Sequence, residues 1–387
     1  MGTMLMNFTA ILTCMVLNSS ICVPTVPGGS PELADIKLPE GFTISIYADG
    51  VKNARAMCWG DKGTLFVGSR SAGIVHALRD TDNDGRIDEK KVIVRDLNMP
   101  AGVAFRDGDL YVSSVDRIVR LRGIEDRLSD PPEPETVIEG YPSETHHGWK
   151  FIAFGPDGYL YIPVGAPCNI CKSDDEIFST ITKVRPDGSD RQIVAHGVRN
   201  TVGFDWHPET DVLWFTENGR DWMGDDLPPC ELNRLDRPGS HFGFPFCHGR
   251  EIPDPEFGRE RACPEFVPPV LEMGAHTAPL GMRFYRGDQF PEKYRNAIFI
   301  AQHGSWNRSK PIGYQVIVAF PQEDGSVKSE VFAEGWLKGA KATGRPVDVL
   351  EMPDGSLLVS DDDADMIYRI SYADRPAFLR NGLRSKR

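Results

Sequence analysis

A short polar turn followed by a burst of apolar residues recurs six times along the chain. The copies are DKGTLFVGSR (Asp61–Arg70), RDGDLYVSSV (Arg106–Val115), GPDGYLYIPVGAP (Gly155–Pro167), HPETDVLWFTENG (His207–Gly219), PEKYRNAIFIAQHG (Pro291–Gly304) and MPDGSLLVSDDD (Met352–Asp363). Asp-Gly pairs tolerate the positive φ that tight turns need. The run that follows is short and rich in β-branched and aromatic residues, the mark of a strand buried on both faces. Three copies continue into a further apolar segment: GIVHALRD after Arg70, RIVRLRG after Asp116 and MIYRIS after Asp365. A sheet-sized motif returning roughly every 45–60 residues predicts an all-β chain folded as a six-bladed β-propeller of four-stranded antiparallel blades. A β-sandwich or barrel built from hairpins is the alternative. GFTISIYADGV (Gly41–Val51) precedes the first copy, and pairing it with YRISYA (Tyr368–Ala373) would close the ring.

One propeller spanning 30–374 accounts for nearly all of the 387 residues, with a segment 1–22 before it and a tail 375–387 after it. No heptads, low-complexity tract or linker divides it. The Pro-rich stretches Asp130–Glu135 and Ile252–Pro269 are read as loops between blades. The first 22 residues are apolar through about Val16, too short to span a bilayer comfortably, and read as a signal peptide cut near Ser20 or Cys22. They carry no Lys or Arg. A lipid anchor at Cys22 is a weaker reading, because Ile21 is a poor residue just before such a site. The expected location is therefore secreted or periplasmic, with no transmembrane span. Six later cysteines suit an oxidising compartment: Cys168 with Cys171 and Cys247 with Cys263 are expected to pair, a zinc site being the alternative, and Cys58 and Cys230 are unassigned.

A net charge of −13 argues against nucleic acid or anionic membrane as the main partner. Basic residues clustered in loops therefore gain interest. His146 and His147 precede the third copy, and a histidine at a strand entry suits a general base. Arg199 and Asn200 adjoin before the fourth copy, where a guanidinium suits a carboxylate or oxyanion. Thr216–Asp226 carries glycines that free backbone carbonyls for a hard cation. Arg345 precedes the last copy, and His303–Lys310 follows the fifth. Asp80, Asp82, Asp84 and Asp88 have the spacing of a calcium loop, although Lys91 stands at its twelfth position and no helices flank it. A structural calcium and a plain acidic turn are both open there. Asn307-Arg-Ser is an N-glycosylation sequon close to these loops.

Singly these segments are weak. In order, HHGWKFIAFGPDG, HGVRNTVGFDWHP, TENGRD, AQHGSWNRSKPIGY, GRPVDV and PDGSLLVSDD resemble the soluble pyrroloquinoline quinone (PQQ)-dependent sugar dehydrogenases, most closely their sorbosone dehydrogenase-like branch. The resemblance runs from Leu38 to Tyr372. It implies a six-bladed propeller, PQQ across the channel mouth with calcium beside it, and a sugar substrate whose electrons pass to an unidentified acceptor. It assigns the catalytic base to His147. Arg199 and Asn200 would contact the quinone, Gly219 and Arg220 would offer carbonyls to the calcium, and Arg345 would reach the PQQ carboxylates. Arg308 corresponds loosely to a cofactor-binding lysine. The chain departs from the pattern at Val347, where the glucose dehydrogenase branch has a second arginine. It departs also at His146, in place of an Asp, and at Cys230, where relatives often carry an acidic residue. A calcium-dependent lactonase-type hydrolase and a non-catalytic binding propeller are the competing functions, since fold alone does not decide.

Overall fold

The computed structural model describes residues 32–372. The leader, lipid-anchor and tail expectations fall outside them. Among the described residues, no helix is long and apolar enough to cross a membrane.

Each of the six apolar bursts is the second strand of a blade: Leu65–Ser69, Asp109–Ser113, Leu160–Val164, Leu213–Glu217, Ile298–Gln302 and Leu357–Asp361. Five of the six are buried along their full length, as expected of strands covered on both faces. The turns before them use the positive φ read from the sequence, at Gly63, Gly108, Gly158 and Gly355. The fourth copy lacks the glycine and places Asp211 at φ 55° instead. The first strands lie innermost, around the axis. They are Ala54–Trp59, Val103–Arg106, Ala153–Phe154, Phe204–Trp206, Pro279–Phe284 and Pro346–Glu351. Together the sheets make the six-bladed propeller that the repeats predict.

The N-terminal strand Phe42–Ala48 pairs antiparallel with the last strand, Met366–Tyr372, with Phe42 opposite Tyr372 and Ile44 opposite Ile370. The final blade is thus built from both ends of the described chain. Phe42 fastens it: its ring meets Phe290 at 4.8 Å, Phe332 at 5.0 Å and Tyr294 at 5.5 Å, each nearly edge-on. Aromatic pairs in this geometry add to the area they bury.

Two departures concern blade edges. The third blade gains a fifth strand, because Ser240–His241 adds in parallel to Gln192–His196. The two Pro-rich stretches do not join blades. Residues 130–135 lie between the third and fourth strands of the second blade, and 252–269 between those of the fourth. Proline cannot donate to a ladder, so the stretches interrupt pairing without marking where a blade ends. Cys168 pairs with Cys171 and Cys247 with Cys263, as expected, and the second bridge staples the fourth-blade insertion. Cys58 and Cys230 are free thiols.

Because Phe42 ties the closing strand to the fifth blade, Phe42→Ala should cost roughly 2–4 kcal/mol of stability. Urea unfolding followed by tryptophan fluorescence measures this. A cost below about 0.5 kcal/mol would mean that closure does not depend on this ring.

Candidate functional site

Strand alternation decides where chemistry can gather. Strands in a blade run alternately down and up, so the loops joining strands two and three share one end with the loops joining consecutive blades. The Asp-Gly turns sit at the opposite end. Of the residues singled out from sequence, His147, Arg199, Asn200 and Arg345 lie in loops between blades, and Gly219 and Arg220 in a two-to-three loop. All belong to one end of the propeller.

His147, Arg199, Asn200, Gly219 and Arg345 line one cavity of about 290 Å³, together with Arg55, Arg70, Trp149, Asn218, Asp221, His276, His303, Trp306 and Asn307. Its floor is apolar, where Val347 packs with Val202, Leu280 and Trp149. Val347, where the resemblance implies a second arginine in the glucose dehydrogenase branch, is buried in this cluster.

The ring of His147 is buried, and its Nδ1 lies 2.9 Å from the carbonyl of Ala166. A carbonyl only accepts, so Nδ1 carries the proton and Nε2 keeps its lone pair. Burial, then the charges of Arg199 and His146, hold this imidazole well below its ordinary pKa of 6.5. It is neutral at neutral pH, with the Nε2 lone pair free to accept a proton. Its backbone sits at φ 50°, and a Cβ on Gly165 would approach its Cβ to 2.5 Å. Gly165 is the space in which His147 is seated.

Arg199 is wholly committed. Its guanidinium donates to the Asn169 carbonyl at 2.8 Å, to Asn169 Oδ1 at 2.8 Å and to the Asn218 and Gly219 carbonyls at 3.1 and 2.9 Å. Its fifth donor faces Asp221 at 3.4 Å. Asn169 lies inside the Cys168–Cys171 bridge, so that small loop clamps the arginine. The backbone N–H of Arg199 donates to Glu217 at 2.7 Å. Glu217 stands opposite Glu231 in the neighbouring strand, with Asn233 donating to both carboxyls. Burial and the proximity of the second carboxyl push Glu217 well up, while burial chiefly raises Glu231 to about 7.

Arg345 donates to the carbonyls of His303 and Gly304 at 3.1 and 2.9 Å. Arg55 pairs with Asp362 at 2.8 Å, which also binds His303 at 2.7 Å. Arg70 stacks 3.9 Å from the Trp149 ring centroid and has no ion-pair partner among the described residues. The buried Trp149 Nε1 and Asn307 Oδ1 have no hydrogen-bond partner. Four guanidiniums thus face one lining carboxylate, Asp221, with unsatisfied polar atoms between them. That is a setting for an anion that carries acceptors and donors.

Arg308 points away from the cavity, while Arg220, expected to offer its backbone carbonyl, has its side chain anchored outside it. Arg220 turns its guanidinium onto Asp254 at 2.6 Å and Glu256 at 3.3 Å, in the insertion stapled by Cys247–Cys263. Arg308 reaches the Asp225 carbonyl, Asp226 at 3.2 Å and the Ala275 carbonyl at 3.4 Å, and does not line the cavity. At the other end of the propeller, carboxylate oxygens of Asp80, Asp82 and Asp88 lie within 4.8 Å of one another. Asp84 instead accepts the N–H of Arg86 at 2.8 Å. Arg55, Arg70, Trp149 and Asp221 were not assigned from the sequence. Arg70 and Asp221 did carry a signal, since Arg70 ends one copy of the repeat and Asp221 follows another, where two-to-three loops begin.

An uncharacterised protein of Borreliella burgdorferi is 32% identical over 95% of this chain and 97% of its own. A pyrroloquinoline quinone-dependent pyranose dehydrogenase of Coprinopsis cinerea is 22% identical, over 78% of this chain and about half, 47%, of its own. The calcium structure of a Trichoderma reesei carbohydrate-active enzyme of family AA12 superposes with a TM-score of 0.75. It is 20% identical and covers 93% of this chain and 100% of that one. The resemblance drawn from the ordered motifs is thereby borne out. A family model described as TrAA12-like matches residues 36–373, and the chain belongs to that family.

Proposed function

We propose that this protein is an exported PQQ-dependent dehydrogenase that oxidises an aldose or sugar aldehyde. One observation carries the reading: four arginines and a neutral histidine of fixed tautomer face the same small cavity. PQQ bears three carboxylates and a flat tricyclic ring. Arg55, Arg70 and Arg345 suit its carboxylates, Trp149 suits its ring face, and Trp149 Nε1 and Asn307 Oδ1 are buried atoms for it to satisfy. PQQ would supply the two-electron acceptor, as a cofactor commonly supplies the difficult chemistry. His147 Nε2 would take the proton of the sugar's C1 hydroxyl, because Nδ1 is tied to Ala166. Arg199 and Asn200 would hold negative charge developing at the far side of the cavity, in positions fixed beforehand. Electrons would leave to an acceptor outside the chain.

Calcium fits the oxygen set around Gly219: its carbonyl, those of Asn218 and Asn169, and the carboxylate of Asp221. These oxygens now receive the Arg199 guanidinium, so an ion held there would share them or release the arginine toward the ligand. The carbonyl of Arg220 belongs to the same loop. A structural calcium at Asp80, Asp82 and Asp88, with Asp84 as a backbone anchor, is a separate proposal for the opposite end. A calcium-dependent lactonase would not need four arginines, and a non-catalytic propeller would not need the strained seat of His147.

Substituting His147→Ala should lower turnover roughly 10²–10⁴-fold while PQQ binding changes little. Gly165→Ala, which crowds the same ring, should act in the same direction. In the wild type the neutral imidazole is the active form and its pKa is depressed. Activity should therefore hold through neutral pH and fall only well below pH 6.5. Unchanged turnover of His147→Ala at full PQQ occupancy would remove this residue from the mechanism.

Titration calorimetry of the apo-protein tests the cofactor. Arg345→Ala should weaken PQQ by about 1.5–3 kcal/mol, the scale of a charge-assisted hydrogen bond. Arg308→Ala should change it little, because that guanidinium is spent on the Asp225–Asp226 loop. Chelating calcium should weaken PQQ as well. Absence of PQQ binding with and without calcium would overturn the dehydrogenase reading.

A further inference from the structure

Four large apolar side chains are exposed among the described residues, and three of them stand on the loops at the cavity's rim: Trp222 at 68%, Trp306 at 64% and Leu227 at 43%. The two indoles meet with centroids 5.2 Å apart and planes at 86°. They form a right-angled apolar corner facing solvent. Trp306 also lines the cavity, so the corner opens directly beside it.

The exposure is built in. Trp222 sits at φ 70°, a conformation that bulky side chains rarely adopt. The two loops that carry the indoles are fastened together beneath them. Asn307 donates to Asp221 at 2.7 Å, the N–H of Ser309 donates to Asp225 at 3.0 Å, and Arg308 bridges to Asp225 and Asp226. His276 lies 2.9 Å from the Gly224 carbonyl below. The fastening fixes both loops, so the rings do not fold back onto the protein. Exposed apolar surface held this way marks a binding surface.

Its occupant follows from shape and volume. A cavity of about 290 Å³ is at the small end for one drug-sized ligand. If PQQ occupies it, as the proposed function has it, a sugar must approach from the rim. A pyranose ring has an apolar C–H face and a polar hydroxyl edge. The corner offers it a flat aromatic face on one side and an aromatic wall on the other. Asp226 and Lys310 are exposed on the same loops and can bond hydroxyls.

We propose that Trp222 and Trp306 form a saccharide-binding corner at the mouth of the cavity, seating a pyranose ring of the substrate. Two readouts test it with the full chain. The first is saturation-transfer NMR and tryptophan fluorescence of the apo-protein titrated with glucose and with cellobiose. Both sugars should contact the indoles, and Trp222→Ala or Trp306→Ala should remove the signal. The second is steady-state kinetics with PQQ and calcium. Trp222→Ala should raise KM for the sugar about tenfold, with a smaller effect on kcat. Trp222→Phe, which keeps an aromatic face, should recover most of the affinity. The apo titration needs no PQQ, so failure of the dehydrogenase reading leaves the corner open to test. Unchanged KM in the alanine variants, together with no sugar contact in the apo-protein, overturns the proposal. So does a raised KM for the electron acceptor alone, which would assign the corner to that partner.

Discussion

The propeller depends on how closely its blades can approach around the axis. The residue three positions after the leading Leu or Ile of each second strand faces this crowding, and in every copy it is a small residue, a threonine or a proline: Gly68, Ser113, Pro163, Thr216, Ala301 and Ser360. The hydroxyls do more than fit. Ser113 donates to the Lys150 carbonyl at 2.9 Å, Thr216 to that of Leu280 at 2.7 Å and Ser360 to that of Arg55 at 2.8 Å. Each bond runs from one blade to the first strand, or the loop entering it, of the next. Gly68 replaces the hydroxyl with proximity, since a Cβ there would come within 2.4 Å of the Ala101 carbonyl. Gly102 and Gly203 on the entering segments are equally confined, at 2.2 and 2.1 Å from the next blade's carbonyls. Buried carbonyls at the axis need donors, and these residues supply them without adding volume.

The same crowding fixes the site. Arg55, whose carbonyl takes the Ser360 bond, extends its side chain into the cavity. Asp348 and Asp205, on first strands, accept the N–H of Met57 and Phe284 from the next blade at 2.9 and 2.8 Å. The rim loops therefore rise from a ring whose members are mutually bonded. The geometry of the cavity is braced further by both disulfides. One holds Asn169 against Arg199, and the other holds the insertion whose Asp254 anchors Arg220.

The fold was legible because its signal is periodic. Turn chemistry and the double burial of second strands are local properties, and six copies average out single failures. The ring closure by Phe42–Ala48 was legible for the same reason. The cavity was half legible. His147, Arg199, Asn200, Gly219 and Arg345 lie next to repeat strands, and topology sends their loops to one end. Side-chain direction was not legible. Arg308 sits at the expected place in the chain, yet its guanidinium turns to Asp226, supplied by a distant segment. The blade-internal position of the Pro-rich stretches escaped notice because proline reports a break in pairing, not which connection is broken.

Charge explains why the cationic site is tolerable. Arg199 is buried, and burying a guanidinium is costly unless opposite charge or full hydrogen bonding offsets it. Its five donors all find oxygen. Beneath it lie Glu217 and Glu231, side by side and fully enclosed. Burial chiefly raises Glu231 to about 7, and burial together with the neighbouring Glu231 pushes Glu217 well up. Burial thus disfavours the ionised form of both carboxyls, which lessens the negative charge held beneath Arg199. The pair accepts hydrogen bonds from the Arg199 N–H and from Asn233, beneath a cavity lined by four arginines in a chain whose net charge is −13.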